Sequence, residues 1–146
     1  MTKTDKYQNL YKQLESLLSG ETDQIANMAN MAALIHETFG LWWTGFYIVK
    51  GEQLVLGPFQ GPIACTRIPY GKGVCGTSWK RQETIVVPDV EEFPGHIACS
   101  SLSRSEIVVP IFSDNKVYAV LDIDSKELAT FDDIDKEWLE KIVELL

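Results

Sequence analysis

The chain has 146 residues, 45% of them hydrophobic and 23% charged, which suits one domain with a sizeable buried core. A net charge of −8 argues against nucleic acid and anionic membrane surfaces as partners, and no apolar run approaches the roughly eighteen residues of a membrane span. The amino terminus MTKTDKYQNL lacks an export signal, so three cysteines point to the reducing cytoplasm, where a disulfide is transient and catalytic rather than structural.

Tyr7, Leu10, Tyr11, Leu14, Leu17 and Leu18 recur at helical spacing, with Gly20 as a stop. A second helix follows, with Ile25, Met28, Ala29, Ala32, Ile35 and Phe39 on one side and Gly40 closing it. His36, near its end, receives no role. Residues 1–40 thus read as packing helices. LWWTGFYIVK, Leu41 to Lys50, is aromatic and β-branched and predicts a strand with Trp43, Gly45 and Tyr47 on one face and Trp42, Thr44, Phe46 and Ile48 on the other. The gap at Gly45 suits a pocket wall, although plain core is the commoner use of such aromatics. A turn at Gly51-Glu52 leads into a second strand, Gln53 to Leu56, paired as a hairpin.

Between Gly57 and Gly95 lie six of the ten glycines and five of the six prolines, which makes a loop-rich region. Short elements are expected at Thr66 to Pro69, Val74 to Arg81 and Thr84 to Val87. Gly71-Lys72-Gly73-Val74-Cys75-Gly76 matches a dinucleotide fingerprint, but a full strand before it and a long crossover helix after it are missing, so it reads as a tight turn into a short helix. Two regular strands follow, Glu106 to Phe112 and Val117 to Asp124, joined at Ser113-Asp114-Asn115-Lys116. Thr130 is expected to cap a last helix whose buried stripe is Ile134, Trp138, Ile142 and Leu145. Helices at both ends of a mainly antiparallel sheet define an α+β domain over residues 1–146, with sheet, cysteine loops and last helix in 41–146.

The chemistry concentrates in the loops. Cys99 sits in Gly95-His96-Ile97-Ala98-Cys99-Ser100-Ser101, a small polar stretch where a side chain meets ligand rather than core. Cys65 and Cys75 occupy similar glycine-rich ground. Asp122 and Asp124 point the same way from an apolar strand, and carboxylates forced together share protons, one pKa rising. Their sequence is not a calcium loop, because Lys126 falls where an oxygen ligand belongs. A zinc site from the three cysteines and His96 is disfavoured by spacings of 10 and 24 residues, so no metal and no cofactor are expected. The residues together suggest a nucleophilic thiol, resolving thiols and an acidic pocket.

RIPYGKGVCG at Arg67 to Gly76, IVVPDV at Ile85 to Val90, SEIVVPI at Ser105 to Ile111 and VLDIDS at Val120 to Ser125 resemble a GAF domain. More narrowly, WTGFY, LGPFQG, IACTRIP, GKGVCG and GHIACSS resemble the free methionine-(R)-sulfoxide reductases, from about Leu41 to the end. The resemblance implies a six-stranded antiparallel sheet flanked by helices, with a small closed pocket over it. It implies Cys99 as the nucleophile, Cys65 as the principal resolving cysteine and Cys75 as a further cysteine able to enter disulfide exchange. Trp43, Tyr47, Glu106, Asp122 and Asp124 match positions that line the substrate site. It further implies reduction of free L-methionine-(R)-S-oxide, thioredoxin as reductant and a homodimer. The competing reading is a non-enzymatic GAF module that binds a small ligand or senses redox state.

Overall fold

The computed structural model describes residues 1–97, 99 and 102–146. Its first two helices are α1, Lys3–Leu18, and α2, Gln24–Phe39. Strands β1, Trp43–Lys50, and β2, Gln53–Gln60, form the hairpin, and the short β3, Arg67–Pro69, pairs with β2. Helix α3, Gly73–Arg81, and strand β4, Ile85–Val87, follow, then β5, Ser105–Ser113, β6, Lys116–Ser125, and α4, Asp133–Val143. The sheet has six strands, all antiparallel, in the order β3-β2-β1-β6-β5-β4. Asp114 and Asn115 both have positive φ, 52° and 63°, as the two-residue turn between β5 and β6 requires. Pro110 lies in β5 beyond the reach of β4, whose pairing stops at Val108, so its missing N–H costs that side no ladder bond.

Strand alternation splits the core in two. Phe46, Ile107, Val109, Ile111, Ala119, Leu121 and Ile123 face a layer made by α1, α2 and α4. Trp43, Tyr47, Leu54, Val108 and Val120 face the opposite side, beneath Val74 and Cys75 of α3 and Ile68 of β3. The site lies on this second face.

Two helical faces differ from the sequence expectation. In α2, Met31 is buried with Met28, Ala32 and Ile35, whereas Ile25 is 56% exposed and Ala29 is exposed. The helix is apolar around most of its circumference, so periodicity alone does not select the stripe. In α4 the cap is Asp132 rather than Thr130, and Ile134 is exposed while Asp135, Leu139, Ile142 and Val143 are buried. Asp135 is buried because α1 supplies its partners: Tyr7 Oη donates to Oδ1 at 2.5 Å and Lys3 Nζ reaches Oδ2 at 2.7 Å. The same carboxylate accepts the Asp132 N–H at 2.9 Å, closing a capping box. Tyr7→Phe leaves this buried acid short of a donor, and a loss of about 1.5–3 kcal/mol in urea unfolding is expected. The expected face of Trp42 also differs: it precedes β1 and packs with the Trp43 layer.

Candidate active site

Register places the acids. Glu106 of β5 stands opposite Asp124 of β6, and Asp122, two residues earlier on β6, points the same way. β1 lies on the other side of β6, with Trp43 opposite Asp124 and Gly45 opposite Asp122. Glu106 and Asp122 are 5% and 6% exposed, among the few buried charged residues described. Ser103 Oγ donates to Asp124 Oδ1 at 3.1 Å. Asp122 Oδ1 is buried with no N–H or hydroxyl donor among the described residues, so carboxyl protons and the Cys75 thiol are what face it.

Burial pushes Glu106 and Asp124 well above the ordinary carboxylate range, and the charge of Asp122 pushes both further. Asp122 is also raised by burial, but hydrogen bonds from Glu106, Cys75 and Asp124 oppose the rise. The cluster therefore favours protons on Glu106 and Asp124 over Asp122, whose hydrogen bonds favour its charged form. Burial, with the three acids beside it, holds the Cys75 thiol well above its usual pKa, so it remains S–H and a poor nucleophile.

The aromatics of β1 hold the loop that carries Cys65. Trp43 Nε1 donates to the Pro62 carbonyl at 3.0 Å, and Tyr47 Oη donates to the Cys65 carbonyl at 2.8 Å. The gap at Gly45 is filled by Trp43, whose ring stacks on Phe59 at 5.2 Å and on Tyr47 at 5.9 Å. A Cβ on residue 45 would stand 2.6 Å from the Trp43 ring. Gly45→Ala is therefore expected to cost about 1–3 kcal/mol by thermal unfolding and to quench or shift Trp43 fluorescence as the ring is displaced.

Cys65 and Cys99 form a disulfide spanning 34 residues, with Cα atoms 5.4 Å apart, while Cys75 is free and buried. Of the bonded pair, Cys99 lines the cavity of about 50 Å³ that also meets Trp43, Tyr47, Cys75, Glu106, Asp122 and Asp124. All the sequence-derived candidates but Cys65 thus border one hollow, and Cys65 joins it through the sulfur bond. Ala98, Ser100 and Ser101, included in the reading of the Cys99 loop, lie outside the described residues. The Gly71–Gly76 glycines serve packing: Gly73 has φ +62° and abuts Ile97, and a Cβ on Gly76 would lie 2.6 Å from the Pro69 carbonyl oxygen.

Two members of the site were not among the catalytic or substrate-binding residues expected from the sequence. Ser103 positions Asp124, and the signal for it was its place just before a strand whose Glu106 pairs with that aspartate. His96 Nε2 lies 3.9 Å from Glu106 Oε1, and burial lowers its pKa, so the ring is neutral at pH 7. Its position was hidden because a single histidine in a loop has no periodic signature.

A six-stranded antiparallel sheet with α1, α2 and α4 on one face and a cavity lined by α3 and loops on the other defines the class. The chain belongs to the GAF domain family, whose model matches residues 14–146. It is 56% identical over 146 residues to GAF domain-containing protein A of Dictyostelium discoideum, a match covering 99% of this chain and 92% of that one. It is 46% identical over 144 residues to the free methionine-R-sulfoxide reductase of Escherichia coli, covering 98% and 87%. The X-ray structure of free methionine-R-sulfoxide reductase from Neisseria meningitidis in complex with its substrate is 52% identical, covers 99% of this chain and 88% of that one, and superimposes with a TM-score of 0.98. Within the family, these matches put the chain among the free methionine-R-sulfoxide reductases. No helix among the described residues is long and apolar enough to cross a membrane.

Proposed function

We propose that the chain, as one GAF domain, reduces free L-methionine-(R)-S-oxide to L-methionine by thiol chemistry. One observation carries the reading: Cys99, bonded to Cys65, lines the same cavity as the buried acids Glu106, Asp122 and Asp124. A sulfoxide oxygen leaves poorly unless it is protonated, and a neutral thiol attacks poorly. The Cys99 thiolate attacks the sulfoxide sulfur while a carboxyl proton from Glu106 or Asp124 passes to the oxygen. The hydroxyl moves from the substrate sulfur to the Cys99 sulfur as the S–O bond and the transient sulfur–sulfur bond break, so methionine leaves and Cys99 is a sulfenic acid. The Cys65 thiol displaces that oxygen as water and forms the disulfide, so two thiols supply the two electrons the sulfoxide gains. The remaining carboxylate charge meets the ammonium of the free amino acid, and Trp43 and Tyr47 wall its methyl end.

Thioredoxin returns the disulfide to two thiols by exchange. The setting is the cytoplasm, and the working form is a homodimer. Coupled to thioredoxin, its reductase and NADPH, the protein should consume NADPH equal to half of a racemic free methionine sulfoxide and then stop. No consumption, with the protein folded and reducible, would instead favour a sensor. Cys65→Ser should leave the first turnover intact and slow thioredoxin-driven cycling at least about tenfold, read from the same trace.

A further inference from the structure

We propose that the floor of the cavity is a binding site for a borderline divalent transition ion of the Zn²⁺ type, held by the Cys75 sulfur and by carboxylate oxygens of Glu106 and Asp122. These three donors come from α3, β5 and β6, are all buried, and lie within 4.8 Å of one another. A tetrahedral zinc ion, bonded at about 2.3 Å to sulfur and about 2.0–2.2 Å to oxygen, holds its ligands roughly 3.5 Å apart, so a contraction of about an ångström closes the set. A second observation is independent of the clustering. Among the described residues Asp122 Oδ1 is buried without an N–H or hydroxyl donor, and the groups around it are two further acids and a thiol. A cation seated in the cavity would meet that oxygen.

Three protein donors leave the fourth position of a tetrahedral ion to solvent, and His96 stands beside the set, its Nε2 3.9 Å from Glu106 Oε1 on the wall of the same cavity. Sulfur among the donors selects a zinc-like ion over magnesium or calcium, which prefer oxygen alone. The set differs from the cysteine triad with His96 considered on sequence, because Cys65 and Cys99 are bonded to each other and the acids take their place. Binding exchanges no electrons: the S–H bond of Cys75 and the O–H bond of the Glu106 carboxyl break, both protons go to solvent, and sulfur–metal and oxygen–metal bonds form. The ion and the substrate ammonium would need the same carboxylates, so occupancy silences the enzyme; that consequence alone rests on the reductase reading.

The oxidised protein gives a clean test, because with the Cys65–Cys99 disulfide closed Cys75 is the one thiol left. Titrated with Co²⁺, it should develop visible bands of a tetrahedral ion together with thiolate-to-cobalt charge-transfer absorption, and Zn²⁺ should bleach both. Cys75→Ser should lose the charge-transfer feature, and Asp122→Asn should weaken Co²⁺ binding about 10–100-fold. Absence of charge-transfer absorption in the wild type, or its persistence in Cys75→Ser, overturns the site. The wild-type spectrum decides even if a variant fails to fold, and no arm reads catalysis, so failure here leaves the reductase reading untouched.

Discussion

Pre-reduced Cys99→Ser protein should release no methionine from one equivalent of free methionine-(R)-sulfoxide, a loss of at least about 10³-fold in the single-turnover rate. The choice among three sulfurs is physical. Cys75 is buried against three acids that keep it protonated, so it is the wrong nucleophile for a neutral-pH attack. Cys99 is half-buried and lines the cavity, and its bonding partner Cys65 stands ready to capture the oxidised sulfur. Quenched-flow methionine assays measure the effect. Turnover retained in Cys99→Ser but lost in Cys65→Ser would exchange the two roles.

Glu106→Gln and Asp124→Asn should each slow the methionine-forming step by about 10²–10⁴-fold while leaving thioredoxin reduction of a preformed disulfide unchanged. Burial and the Asp122 charge favour the protonated form of both side chains. Because the folded-state pKa values are raised, the protonated acid persists above the ordinary carboxylate range and is lost as pH climbs through the raised values. The wild-type step should therefore hold its rate above the ordinary carboxylate range and fall as pH climbs through the raised values, a limb that the two substitutions remove or shift. An unchanged rate and pH profile in both variants would take the proton from another source, with solvent the first alternative.

Much of this molecule was legible in the chain. The run LWWTGFYIVK carries its alternation plainly, and Trp43, Tyr47 and Phe46 fall on the faces their spacing requires. Asp122 and Asp124 share a face for the same reason, and the acidic pocket could be read from that parity. What the chain hid depends on distant partners. Asp135 is buried because Tyr7 and Lys3, far away in sequence, meet it. Likewise Ile25 and Ala29 belong to a helix apolar on most sides, so only the sheet beneath decides which way it rolls. Gly45 looked like an opening and is instead the seat of the Trp43 ring, a matter of one side chain's direction that spacing cannot give. The grip of Tyr47 on the Cys65 carbonyl has no local signature either. The pairing of Cys65 with Cys99 came from family resemblance; the two stand 34 positions apart, after the end of β2 and before the start of β5.

The most direct test counts thiols and product together: mix fully reduced protein with excess racemic free methionine sulfoxide, without thioredoxin, then quantify methionine and map the cysteines by alkylation and mass spectrometry. One methionine per chain, a new Cys65–Cys99 disulfide and Cys75 still alkylatable is the predicted result. Disulfide formation without methionine, or methionine released while all three thiols remain free, would contradict it.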